Sequence, residues 1–172
     1  FKSYPVTVRI LPSLNDLAGG RISVNDLREV SINDLLGRDS VTANQALLSK
    51  DITEKVVVVT GAGGSIGSEL SRQILLLKPK KLILYEINEL ALYNIEKDLA
   101  KIDNQKTNIY PILGDVKNKN RLSNVFKFFK VNSVYHAAAY KHVPMVEFNN
   151  SEGVDNNIFG ALYCAQAAID VG

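Results

Sequence analysis

The sequence predicts an α/β chain: a doubly wound parallel sheet preceded by an extended N-terminal arm. Three observations predict it. From Glu54 onward, apolar β-branched runs alternate with amphipathic helical patterns. The run Val56-Val57-Val58-Val59 is interrupted by no polar residue, as suits a strand covered by helices on both faces. That run passes through a glycine-rich turn, Thr60 to Gly67, directly into a helical pattern. The expected organisation is an arm over 1–53 with short helical turns and a sheet domain over 54–172.

In the arm, residues 6–12 alternate like a short strand that Pro12 stops. The stretch through Lys50 has no long period. Helical turns are expected near Ser13 to Ala18 and Ser31 to Leu36, each opened by a serine cap, and the rest is expected to run extended. Its spaced hydrophobics, among them Leu17, Ile22, Leu27 and Leu35, would be wasted in solvent, so they are expected to pack on the sheet domain or a neighbouring subunit. A flexible linker is the alternative.

In the domain, strand one is Lys55 to Thr60. The helix from Ser65 carries Ile66, Leu70, Ile74 and Leu77 before Pro79 ends it. Strand two is Lys81 to Glu86, and Asn88 caps a helix with Leu92, Ile95, Leu99 and Ile102 on one face. Strand three is Asn108 to Leu113, followed by Gly114-Asp115-Val116. The basic stretch Lys117 to Lys130 places Leu122, Val125, Phe126 and Phe129 at helical spacing, which makes it a core-facing helix and not a nucleic-acid surface. Strand four is Val131 to His136, and a final helix runs from about Ser151 to Val171. The expected order is 3-2-1-4, a partial Rossmann-like sheet whose fourth strand lies exposed at one edge.

Chain-wide properties exclude several classes. With 172 residues and 46% hydrophobic content the chain builds a real core. A net charge of +2 gives no argument for nucleic-acid or membrane attraction. The single Cys164 excludes an internal disulfide and a zinc cluster, and fits a packed helix in a reducing, cytoplasmic compartment. No apolar run approaches the ~20 residues of a membrane helix, and no signal-peptide pattern is present. Beginning at Phe1 and ending straight after a helical pattern, the sequence is expected to be a piece of a longer protein, with the cytoplasmic domain of an inner-membrane protein as one form of it.

The glycine spacing Gly61, Gly64, Gly67 lets the main chain approach a dinucleotide diphosphate at the N-terminus of the following helix, where N–H groups and the dipole favour negative charge. Such a pattern alone also occurs in tight turns; the flanking strand and helix supply the context. Glu86 ends strand two about 20 residues on, where an acidic residue holds the adenosine ribose hydroxyls. The small residues Ala137 and Ala138 close strand four at the end of the sheet where ligands bind.

The runs Thr60 to Gly67, Gly114-Asp115-Val116, His136 to Pro144 and Asn157-Ile158-Phe159-Gly160-Ala161 resemble an extended short-chain dehydrogenase/reductase. More narrowly, they resemble the polysaccharide-biosynthesis nucleotide-sugar 4,6-dehydratases that act on UDP-N-acetylglucosamine. Val8 to Pro12, Asp26 to Val30 and Asp34 to Arg38 resemble the lead-in of that family's long, membrane-attached members. The resemblance implies that Gly64, Ser65, Ile66 and Gly67 line the diphosphate, Glu86 the ribose, and Asp115 with Val116 the adenine. It places Ala137 and Ala138 along the cofactor, Lys141 between cofactor and UDP-sugar substrate, and Asn157 where it steadies the strand ends. Glu86 favours NAD over NADP, because a carboxylate repels a 2′-phosphate.

The implied reaction is redox-neutral: NAD takes a hydride from hexose C4, water leaves across C5 and C6, and the hydride returns to C6. In that family the acid/base Asp-Lys pair and the Tyr- or Met-x-x-x-Lys element follow a fifth strand that this sequence does not reach. No catalytic residue is therefore assigned, and the piece alone is expected to be inactive. Tyr93-x-x-x-Lys97 matches the pattern by coincidence, in the helix between strands two and three. His136 and His142 make a poor metal set, so no metal is expected. Lys141 as a plain surface lysine is the alternative to its substrate role. A homo-oligomer is expected, its order left open by the sequence. An epimerase or reductase on the same scaffold, and a non-catalytic NAD-sensing module, are the competing functions.

Overall fold

A computed structural model describes residues 9–10, 28–29, 44–103 and 107–172. The chain divides into two compact units, 1–43 and 44–172. In the first, the two-residue strands β1 (Arg9–Ile10) and β2 (Arg28–Glu29) pair antiparallel, with Arg9 opposite Glu29. The helical turns expected at 13–18 and 31–36 lie outside the described residues.

The second unit opens with α1 (Gln45–Ile52), capped by Asn44, whose side chain accepts the N–H groups of Ala46 and Leu47. An extended course was expected here. The helix forms because Ile52 buries itself under the sheet and the Ser133 hydroxyl donates to the Asp51 carbonyl at 2.7 Å. Four parallel strands follow: β3 (Val56–Thr60), β4 (Lys81–Glu86), β5 (Asn108–Leu113) and β6 (Ser133–His136). Their order is β5-β4-β3-β6, which is the expected 3-2-1-4 arrangement. Thr60 stands beside Tyr85 on one side and His136 on the other, so the carboxyl ends of the strands lie level.

The alternation of side chains across the pleat divides the core in two. On one face Val57, Val59, Leu82 and Leu84 pack with Ile52 of α1 and with α2 (Ser65–Leu76) and α3 (Glu89–Ile102), through Ile74, Leu75, Leu92, Ile95 and Leu99. On the other face Val56, Val58, Ile83 and Tyr85 pack with α4 (Lys119–Phe129) and the last helix, through Leu122, Phe126, Phe129, Cys164 and Ala167. Val57, Val58 and Val59 are wholly buried, each contributing about 1.5–3 kcal/mol. Ile66, assigned to the core face of α2, is instead 65% exposed, because the first turn of that helix rises above the sheet. Ile102 is likewise half out of the core of α3, in its last turn.

Strand β6 begins two residues later than expected, after Asn132 turns its side chain to accept the Val56 N–H at 2.9 Å. A short helix not foreseen, α5 (Val143–Phe148), follows the strand, with Pro144 in its first turn, where the missing N–H costs nothing. The final helical rod is α6 (Asn150–Val154), a π-helical turn (Asp155–Phe159) and α7 (Gly160–Ile169), and not one regular helix. Among the described residues no helix is long and apolar enough to cross a membrane.

Candidate functional site

Every loop at the carboxyl end of the sheet carries one of the residues singled out by sequence. After β3 the chain enters a turn in which Gly61 adopts φ +64°. A Cβ there would stand 2.7 Å from the backbone N and Cα of Ala138, so Gly61 lets the turn lie against the end of β6. A Cβ at Gly67 would stand 2.0 Å from the Gly61 carbonyl oxygen, which fixes close packing of the first turn of α2 on the loop. Helix α2 is opened by Gly64 with no side-chain cap, whereas α1, α3 and α4 are each capped by an asparagine. The crest formed by Gly64, Ser65 and Ile66 is exposed, so the first-turn amides remain available to an external acceptor.

Glu86, at the end of β4, is buried and turned toward this loop. Its Oε2 accepts the Gly63 N–H at 2.9 Å, while Oε1 accepts the N–H groups of Ile87 and Asn88, each at 2.9 Å. The carboxylate thus pins the glycine loop to the neighbouring strand. After β5, the Asp115 Oδ1 accepts the Lys117 N–H at 2.8 Å, and the Asp115 carbonyl accepts the hydroxyl of buried Tyr85 at 3.0 Å. Burial pushes the Tyr85 phenol up to about 12, so it remains a donor at any physiological pH. Val116 is buried against Gly160, where a Cβ would come within 2.8 Å of Val116 Cγ2.

After β6, Ala137 and Ala138 lie against Gly61. Asn157, in the π-helical turn, grips the next loop at both main-chain atoms of Tyr140. Its Oδ1 accepts the Tyr140 N–H at 2.8 Å and its Nδ2 donates to the Tyr140 carbonyl at 2.9 Å. The neighbouring Lys141 is exposed and lines a cavity of about 470 Å³ with His142, Met145, Val146 and Glu152. At the strand end, Thr60 Oγ1 and His136 Nδ1 are 2.7 Å apart. Partial burial lowers the His136 pKa, which favours the neutral ring, and the tautomer decides which of the two groups donates.

The structure therefore brings Gly61, Gly64, Ser65, Ile66, Gly67, Glu86, Ala137 and Ala138 together at the carboxyl end of the sheet. Asp115 and Val116 stand on the next loop, while Lys141 and Asn157 stand on the cavity side. Sequence reasoning missed Gly63, Tyr85, Lys117 and Glu152, which hold these loops in place. Only Gly63 left a signal, as the extra glycine inside the G-x-x-G-x-x-G spacing. Tyr93 and Lys97 form a surface pair on α3, the ammonium 5.3 Å from the ring centroid.

The family model described as "Polysaccharide biosynthesis protein" matches residues 57–172. The chain is 44% identical over 158 residues to the capsular polysaccharide biosynthesis protein CapD of Staphylococcus aureus, an alignment covering 92% of this chain and 26% of that protein. It is 36% identical over 120 residues to the UDP-N-acetylglucosamine 4,6-dehydratase (inverting) of Campylobacter jejuni, covering 69% of this chain and 34% of that enzyme. In fold it is similar to the UDP-glucose-4-epimerase of Stenotrophomonas maltophila, with TM-score 0.58 and 20% identity over 69% of this chain and 34% of that one. The chain thus spans about a quarter to a third of the length of these relatives. It belongs to the polysaccharide biosynthesis protein family, built on the Rossmann-like fold shared with the short-chain dehydrogenases/reductases and nucleotide-sugar epimerases.

Proposed function

We propose that this chain is the cofactor-binding portion of an NAD-dependent nucleotide-sugar 4,6-dehydratase that converts UDP-N-acetylglucosamine in surface polysaccharide biosynthesis. The observation that carries the reading is the Glu86 carboxylate, held 2.9 Å from the Gly63 amide beside a helix opened by glycine with no side-chain cap. A diphosphate fits the mouth of α2 at the exposed Ser65 and Ile66, between Gly64, whose own N–H donates to the Gly61 carbonyl at 3.0 Å, and the buried Gly67, and a ribose reaching β4 meets the lone pair left on Glu86 Oε2. Asp115 and Val116 border the adenine end. Ala137 and Ala138 keep the floor of the crevice low, and Asn157 fixes the loop that presents Lys141 to the sugar nucleotide. NAD, when bound, supplies the hydride acceptor and donor for the hexose. The carboxylate of Glu86 disfavours a 2′-phosphate, which selects NAD over NADP. The dehydratase relative in Campylobacter jejuni supports the choice of reaction.

The test is calorimetric titration of the full-length protein with NAD and with NADP, followed by incubation with UDP-N-acetylglucosamine. NAD is expected to bind at least about tenfold more tightly, a difference of ~1.4 kcal/mol. The product is expected to have lost one water. A product of unchanged mass would show epimerisation, and tighter binding of NADP would overturn the role of Glu86.

A further inference from the structure

Lys117 lies in the loop that carries Asp115 and Val116. Its ammonium is 2.7 Å from Glu152 Oε2 and 3.8 Å from Asp115 Oδ2, and its side chain is only 27% exposed. The same rod that provides Glu152 meets this loop again at Gly160, against which Val116 is seated. It also clamps Tyr140 through Asn157. Glu152 is itself part of the wall of the cavity that Lys141 lines. One continuous stretch, 150–160, running from α6 through the π-helical turn to the start of α7, therefore holds the β5–α4 loop at a polar point and an apolar point while holding the cavity loop at a third. The hydrogen bond from Lys117 to Glu152 raises the lysine pKa, so the ammonium stays charged across the physiological range.

We propose that Lys117 is a positioning residue: through its bridge from Asp115 to Glu152 it fixes the Asp115–Val116 loop for the adenine end of the cofactor. The inference rests on the dinucleotide reading of the crevice. Lys117 need not touch the cofactor. Without the bridge, the loop keeps its apolar seat at Gly160 and the Tyr85 hydrogen bond but loses its polar tether to α6, and it must be ordered again when the ligand binds.

The experiment is NAD titration of the full-length protein and its Lys117→Met, Lys117→Arg, Glu152→Gln and Lys117→Met/Glu152→Gln variants, with melting curves recorded without ligand. For a partly exposed ion pair, each single neutral variant is expected to weaken NAD binding about threefold at low salt. The double variant is expected to lose no more than either single one, and Lys117→Arg to bind like wild type. Near 1 M salt, where the screening length falls to about 3 Å, the difference is expected to vanish. Lys117→Met binding NAD like wild type at low salt, losses that add in the double variant, or a lowered melting temperature with unchanged affinity would each overturn the proposal. A wild-type protein that binds no NAD would sink the dinucleotide reading and this inference together.

Discussion

Replacing Glu86 with glutamine isolates the contact that joins the glycine loop to β4. The carboxylate accepts three backbone N–H groups, two at Oε1 and one at Oε2, in a buried setting. An amide has one acceptor oxygen. The better orientation keeps the oxygen on Ile87 and Asn88 and turns the NH₂ toward the Gly63 N–H, setting donor against donor. One charge-assisted hydrogen bond worth about 1.5–3 kcal/mol is lost, and the other two weaken on becoming neutral. Relief of the carboxylate's desolvation offsets part of this, leaving a net cost of about 2–3 kcal/mol. For a unit of this size each kcal/mol shifts the melting temperature by about 4 °C, so the variant is expected to melt ~8–12 °C lower. Thermal melting by circular dichroism, in the absence of ligand, measures it. A variant melting within about 2 °C of wild type would show that Glu86 does not hold the loop.

Gly61→Ala combines a left-handed backbone cost of about 1–2 kcal/mol with a Cβ 2.7 Å from the Ala138 backbone, and is expected to cost about 3 kcal/mol in all. At Gly64, where φ is an ordinary −72°, an added Cβ meets the Gly61 carbonyl oxygen at a tight 3.3 Å, so Gly64→Ala is expected to lower the melting temperature less than Gly61→Ala does and to lose NAD affinity in titration; the reverse pattern would refute this division of roles. His136 sets a pH dependence. Its folded pKa lies below the reference 6.5, so its contribution is complete above pH 6.5 and is lost as pH falls through the lowered folded value. Denaturant melts at pH 7 and pH 5 are expected to show a smaller stability difference in His136→Gln than in wild type, and an equal difference would refute it.

The strands were legible because four valines and Leu82-Ile83-Leu84-Tyr85 leave no polar face to present to water. Glu86 was legible from its distance to the glycines, since the crossover of a βαβ unit has a nearly fixed length. Its hydrogen bond to Gly63 was not, because that contact exists only after β3 and β4 pair. Helix α5 was hidden by Pro144, which reads as a breaker unless the helix is known to start one residue before it. The π-helical turn carries no composition of its own. It is visible only through what it does, which is to bring Asn157 onto the Tyr140 main chain. Helix α1 escaped because its eight residues form too short a period to stand out, and its stability is tertiary.

Helix α1 also determines where this polypeptide can be shortened. Ile52 is 1% exposed beneath β3, the Asp51 carbonyl satisfies Ser133 of β6, and the Thr53 hydroxyl donates to the Leu77 carbonyl at 2.9 Å. A polypeptide begun at Glu54, just ahead of the valine strand, would forfeit all three. The missing isoleucine alone leaves a hole costing about 2–5 kcal/mol, a large part of the ~5–15 kcal/mol that holds a domain folded. Among the described residues of the second unit, the stretch that closes the floor of the sheet therefore reaches back to Asn44, ten residues upstream of Glu54.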